Sequence, residues 1–370
     1  MKCTNKNKKQ TQNSYDAARR RKALRKRRRR QQQVVTVLVI LILCLTAIGI
    51  AYLIYSGSKK DYVIDYETKN YNKSLYKGDT FAKDLCVTSN NVSLEGYADD
   101  DSLGAAGLFD IKNNTVLYAD NIHTQLYPAS TTKVMTAYVA LKYGNLDDIV
   151  TISENAVNLD ADAQVCGFEA GDQVSMYDLM NGLLLYSGND AALAIAEHVG
   201  GSVEAFVQKM NEEAKALGAT NTNFVNPHGL HDPQQYTTAY DLYLMFNACS
   251  KNPTFIDIIS QKSYSATITS ADGDQWTTEW IPTNYYSAGE ATPPEGVNVL
   301  GGKTGTTDEA GSCVILYNQD MESNPYISVI MGADTKTILY DDMTALLAAG
   351  VGTKSSEINL SREDSHLFRW

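Results

Sequence analysis

The spacing of apolar and polar positions along the 370-residue chain changes four times. The first 33 residues are polar and basic. Val34–Tyr55 (VVTVLVILILCLTAIGIAYLIY) then carries no charge. About 20 apolar residues cross a bilayer core, so this run predicts one transmembrane helix and exceeds the apolar region of a secretory signal. Residues 56–98 are rich in Asn, Asp, Lys and Tyr without a sustained period and predict a linker. From about Leu103 the pattern becomes globular. Ala105–Asp110 and Thr115–Ala119 flank Lys112-Asn113-Asn114, a hairpin signal. An amphipathic helix follows from Ser130, and Ser175-x-x-Asp178 is a capping box ahead of LMNGLLLY. NDAALAIAEHVG, Ser202–Leu217 and the stretch capped by Thr238-x-x-Asp241 read as further helices. Tyr264–Ser270, Val297–Gly302, Ser312–Tyr317 and Tyr326–Met331 read as strands, and Thr337–Ala349 as a closing helix. A helical middle between strand-forming ends predicts an α+β fold: one sheet built from both ends of the domain and covered by helices.

Charge sharpens the division. Residues 1–33 hold fourteen Lys and Arg against Asp16 alone, so a chain of net charge −11 carries +13 there and −24 in the remainder. The run Arg19–Arg30 sits just before the apolar span and predicts a cytoplasmic N-terminus by the positive-inside rule, with everything after Ser56 outside. Beside such a span the basic run reads as topogenic and lipid-facing, and nucleic acid is not expected as a partner. The predicted layout is a cytoplasmic tail 1–33, an anchor 34–55, a linker 56–98, a catalytic domain 99–355 and a tail 356–370. Four of the six cysteines fall on the outer side of the predicted membrane span, but wide spacing without a C-x-x-C or Cys/His cluster argues against a metal site. Cys249 and Cys313 read as small buried apolar residues, and one disulfide stays open.

The five histidines accompany no G-x-S-x-G elbow, which leaves a Ser-His-Asp hydrolase little support. Gly296 to Thr304 imitates a phosphate loop but is one residue too long and leads into no helix. Three short patterns remain. S-x-x-K occurs at Ser56/Lys59, Ser74/Lys77 and Ser130/Lys133; S-x-N at Ser89/Asn91, Ser153/Asn155, Ser187/Asn189 and Ser250/Asn252; K-T-G once, at Lys303-Thr304-Gly305. Context separates the copies. Ser56 and Ser74 lie in the linker, and Ser153 reads as a helix cap. Ser130 follows Pro128 at a helix start, with Lys133 one turn on and the free N–H groups of the helix terminus close by. Ser187 lies between two helices, where a connection points side chains into a cleft. A serine needs a base, and a lysine serves when burial and a second cation depress its pKa. That assigns Ser130 as nucleophile, Lys133 as base, Ser187 as proton relay and Asn189 as holder of a substrate amide. Lys303 and Thr304 suit a terminal carboxylate, and Gly305 permits close approach of the substrate backbone.

In this order the three patterns resemble those of the penicillin-binding proteins and serine β-lactamases. YPASTTKVMTAY, LLLYSGNDAALAIAEHVGG, TNFVNPHGLHD and YTTAYDL are similar to segments of the low-molecular-mass D-alanyl-D-alanine carboxypeptidases, over about Ala105 to Ala349. The resemblance implies a serine β-lactamase/transpeptidase-like fold, an antiparallel sheet flanked by helices with a helical subdomain. It implies an acyl-enzyme on Ser130, no cofactor, peptidoglycan stem peptides as substrate and β-lactams as inhibitors. It also implies an oxyanion hole from the N–H groups of Ser130 and Thr306. His228 matches a family segment and is read evenly as cleft lining or packing. The E-x-x-L-N base of class A β-lactamases is missing between Asn189 and Lys303; Glu154-x-x-Val157-Asn158 lies on the wrong side of Ser187. A β-lactamase, an endopeptidase or transpeptidase, and an inactive wall-binding module are the alternatives.

Overall fold

The apolar span lies within one uninterrupted helix, α1 (Thr4–Ser58), in a computed structural model that describes residues 4–58 and 82–352. Its basic part is made of Arg, Lys, Ala, Leu and Gln, all good helix formers, so the helix runs through the charge run without a break. The stretch Leu24–Tyr52 is long and apolar enough to cross a membrane, and Val34, Leu38, Leu43 and Ile50 are exposed along it. The contacts divide the chain into residues 1–80 and 81–370. The predicted C-terminal tail 356–370, and residues 59–81 of the predicted linker, lie outside the described residues.

The second unit is built on a five-stranded antiparallel sheet. Hairpin β1 (Ala105–Asp110) and β2 (Thr115–Asp120) turns where Asn114 takes a left-handed φ of 52°, and the Asp110 carboxylate accepts from Asn113 N at 3.0 Å. A smaller sheet, discussed below, holds β3 (Ile149–Thr151), β4 (Gln173–Ser175), β5 (Tyr264–Thr269) and β6 (Gln275–Trp280). β7 (Val297–Thr307), β8 (Gly311–Asp320) and β9 (Pro325–Ala333) complete the large sheet in the order β2-β1-β9-β8-β7. Both chain ends of the domain therefore meet in one sheet, as expected. Successive residues of β8 serve opposite faces. Ile315 joins a core with Phe109, Ile327 and the helical region, while Val314 and Leu316 join Leu108 and Ile330 on the other side.

Helices cover both faces. The larger layer contains α2 (Lys133–Tyr143), α3 (Met176–Asn181), α4 (Asn189–Gly200), α5 (Val203–Ala216), α6 (Ala239–Cys249) and α7 (Pro253–Ile259). α8 (Lys336–Leu347) closes the opposite face with Leu339, Met343, Leu346 and Leu347. Each such side chain contributes about 1.5–3 kcal/mol on burial. The expected caps form: Ser175 accepts from Asp178 N and Thr238 from Asp241 N, both at 3.0 Å. Ser153 also caps a helix, accepting from Ala156 N.

Three expectations change. There is a second sheet, order β3-β4-β5-β6, which takes β3 and β4 from the helical middle and, as β5, the strand expected at Tyr264–Ser270, so that strand is not part of the large sheet. Its strands β3 and β4 are three residues long, too short to show a period, and β6 carries only two apolar residues, Trp276 and Trp280, four apart. β7 runs past Gly302, so Lys303, Thr304 and Gly305 lie within a strand rather than at its end. Residues 82–98, read as linker, pack on the globular unit: Tyr243 Oη accepts from Cys86 N, Tyr240 Oη donates to Cys86 O, and Val92 pairs with Ala119. Cys86, Cys166, Cys249 and Cys313 are buried free thiols.

Candidate active site

Ser130 sits in a tight 3-10 turn, Ala129–Thr132, that feeds directly into α2. Its hydroxyl does not cap the helix, so it is left for chemistry. The turn is held from several sides. Thr131 Oγ1 donates to Pro128 O at 2.6 Å, Thr132 Oγ1 accepts from Gln235 Nε2, and Thr136 Oγ1 donates to Pro227 O. Ala129 has a φ of 45°, a left-handed conformation that costs a residue with a Cβ about 1–3 kcal/mol. Gly229, at φ +92°, packs against it so closely that a Cβ there would lie 1.9 Å from Ala129 O. Backbone strain at Ala129, next to Ser130, is thus maintained by a neighbouring turn that tolerates only glycine.

One turn on, Lys133 is fully buried, with its Nζ 2.9 Å from Ser130 Oγ. The same nitrogen donates to Asn189 Oδ1 and to the backbone carbonyl of His228, both at 2.7 Å. Two of these three neighbours can only accept. A neutral amine has two N–H bonds and one lone pair, so with both hydrogens bound to carbonyl oxygens the lone pair points to the Ser130 hydroxyl. Burial holds the Lys133 amine well below the ordinary lysine range, and the Lys303 cation lowers it further.

A second lysine repeats the arrangement. Lys303, on β7, is fully buried and donates to Ser187 Oγ and to Thr304 O, each at 2.8 Å. Burial pushes its amine down to about 7. α3 gives way to a wider π-type turn, Gly182–Tyr186, and Ser187 then adopts a φ of 68° before α4 begins. That reversal aims the Ser187 hydroxyl across the cleft towards β7 instead of along the helix.

The patterns therefore converge. Ser130, Ser187, Thr304, Gly305 and Thr306 line a cavity of about 150 Å³. Lys133, Asn189 and Lys303 lie buried beside it, bonded as described. A Cβ on Gly305 would stand 2.7 Å from Ser130 N, so the glycine lets β7 reach the backbone of Ser130. The discarded pairs do other work: Asn252 caps α7, and Ser250 Oγ donates to Asn247 O. His228 contributes its carbonyl, while its ring, pushed down to about 3 by burial and Lys133, accepts from Leu230 N through Nδ1. The patterns did not point to Gln164, Thr283, Tyr285, Cys313, Lys336, Leu339 and Tyr340, which line the rest of the cavity. Nor did they point to Asp190, a buried carboxylate accepting from the backbone of Cys166, Gly167 and Phe168, which ties that loop to the start of α4. Among the described residues no group of three or more His, Cys, Asp or Glu is placed to hold a metal.

This geometry has relatives. A family model for D-alanyl-D-alanine carboxypeptidases, peptidase S11, matches residues 97–335. Haemophilus influenzae D-alanyl-D-alanine carboxypeptidase DacA is 36% identical over 62% of this chain and 56% of its own length. Escherichia coli DacC is 35% identical over 66% and 60%. The chain thus spans less than two thirds of these relatives. Among solved structures, the Streptomyces K15 DD-transpeptidase superposes with a TM-score of 0.63 at 28% identity, over 71% of this chain and 99% of that one. A Mycobacterium tuberculosis D-alanyl-D-alanine carboxypeptidase gives 0.61, over 70% and 96%. With well over half its length matched by the family model, and a serine hydroxyl 2.9 Å from a buried lysine nitrogen beside its cleft, the chain belongs to the D-alanyl-D-alanine carboxypeptidase family of serine peptidases.

Proposed function

We propose that the globular unit removes the terminal D-alanine from peptidoglycan stem pentapeptides and that α1 holds it on the outer face of a membrane. The observation that carries this reading is the Lys133 nitrogen, whose two carbonyl partners leave its lone pair to Ser130. Ser130 Oγ bonds to the carbonyl carbon of the penultimate D-alanine as its proton passes to Lys133 Nζ. The N–H groups of Ser130 and Thr306 receive the oxyanion, and the Asn189 amide N–H holds the substrate carbonyl. The C–N bond then breaks. Ser187, whose oxygen accepts from Lys303, keeps its own proton free to deliver to the departing amine, and Lys133 restores it. Water hydrolyses the ester.

The basic run before the apolar span supports a cytoplasmic N-terminus. Protease treatment of intact protoplasts tests the orientation: cleavage beyond Ser56 supports it, and protection overturns it. For the chemistry, intact-protein mass spectra with penicillin, beside D-alanine release from a pentapeptide, are the deciding pair. A long-lived penicilloyl ester together with D-alanine release is the expected result. Rapid loss of the adduct, many equivalents of penicillin consumed and no D-alanine released would make the enzyme a β-lactamase instead. The likeness to a DD-transpeptidase supports a second reading, attack on the same ester by an amine, which an added amino acceptor in the same assay detects as a cross-linked product.

A further inference from the structure

We propose that Thr283 is a substrate-positioning residue, forming with Thr304 a two-hydroxyl donor for the terminal carboxylate of the substrate. The proposal rests on the carboxypeptidase reading. Thr283 lies outside the three sequence patterns, in the segment joining the second sheet to β7. It is half-buried, lines the cavity, and places Oγ1 2.6 Å from Thr304 Oγ1. Its place is fixed on both sides: Thr283 N donates to Leu185 O, and the next residue, Asn284, is buried and accepts from Tyr286 N through its side chain.

Proton counting gives the pair its function. Two hydroxyls carry two hydrogens, and the bond between them consumes one. Whichever oxygen donates to the other, one hydrogen remains for a third group. A carboxylate, which only accepts, is complementary to that hydrogen, and Lys336 lines the same cavity with a positive charge. Lys303 holds the neighbouring Thr304 carbonyl, so the strand carrying one hydroxyl is anchored while Thr283 anchors the other. With Thr283 donating, Thr304 is free to bond the carboxylate directly. Without it, the Thr304 hydroxyl loses the partner that fixes its rotor.

The test uses the full-length chain in detergent, with a pentapeptide ending in D-Ala-D-Ala and the same peptide ending in D-alaninamide. Thr283→Val should raise KM for the free acid about tenfold with kcat within threefold, the size expected for one hydrogen bond to a charged group. The amide peptide should respond no more than threefold. Thr283→Ser, which keeps the hydroxyl, should restore the wild-type KM. Adding Thr283→Val to Thr304→Val should cost little beyond Thr304→Val alone, because the hydroxyls act as one unit. Should Thr283→Val fail to fold, Thr283→Ala against Thr283→Ser makes the same comparison. An unchanged KM for the free acid, or equal losses on acid and amide, overturns the proposal. Absence of D-alanine release by the wild-type enzyme would instead overturn the carboxypeptidase reading, so the two failures are told apart.

Discussion

Two buried lysines face one another across the cleft, each within hydrogen-bond reach of a serine hydroxyl: Lys133 with Ser130 at 2.9 Å and Lys303 with Ser187 at 2.8 Å. Their remaining partners differ. Lys133 has a side-chain amide oxygen and a carbonyl, an arrangement that satisfies a neutral amine completely. Lys303 has one carbonyl from its own strand and stands beside a cavity suited to an anion. The electrostatics differ as well. Burial depresses both, but Lys133 also feels Lys303. On the proposed reading the same residue pair serves as a base at one end of the site and a hydrogen-bond donor to an anion at the other, because of what surrounds it.

Substitution at the base end should have the largest effects. Ser130→Ala should eliminate the penicilloyl adduct in mass spectra, while Ser56→Ala and Ser74→Ala leave it unchanged. Lys133→Ala should slow acylation by about 10²–10⁴ without loss of fold, as judged by circular dichroism. Near-normal labelling would mean that the two lysines had been assigned the wrong way round. The pH profile separates them next. Below its depressed pKa, Lys133 gains a proton and loses its lone pair, so acylation should fall about tenfold per pH unit on the acid limb. Removing the neighbouring cation with Lys303→Met should raise the Lys133 pKa and move that limb to higher pH. The same variant should weaken binding of carboxylate-terminated peptides about 10- to 100-fold, as loss of a charged hydrogen bond does. Its melting temperature should not fall, since a buried cation is costly to desolvate. The smallest effect belongs to His228→Ala. Because Lys133 uses the carbonyl and not the ring, acylation should change less than about fivefold.

Side chains at the base end were legible in the sequence because their chemistry is tied to spacing along one helix: Ser130 and Lys133 are three residues apart. The large sheet was legible through its apolar runs. What escaped notice has identifiable causes. The His228 carbonyl is backbone, which every residue has, so no pattern marks it. Gly229 is required by a contact with Ala129 that arises only after folding. Asp190 looks like any acid at a helix start, although its carboxylate binds a loop more than twenty residues earlier. Thr283 is one of many threonines, and only tertiary structure brings it to Thr304. Of the second sheet only β5 was read as a strand; β3 and β4 escaped because register and burial, rather than periodicity, define strands of three residues.

The buried thiols have a consequence for handling the protein. Cys86, Cys166, Cys249 and Cys313 sit in four different places: the segment leading into the sheet, the loop held by Asp190, the end of α6 and the start of β8. Burial pushes each thiol upward, Cys86 and Cys313 to about 11, so almost none is thiolate near neutral pH. An alkylating reagent needs both the thiolate and a path to it. Alkylation of each cysteine therefore waits for its own region to open, and reaction rates resolved by peptide mapping become a four-point record of local unfolding. The protein carries its own probes of which part of the domain loosens first.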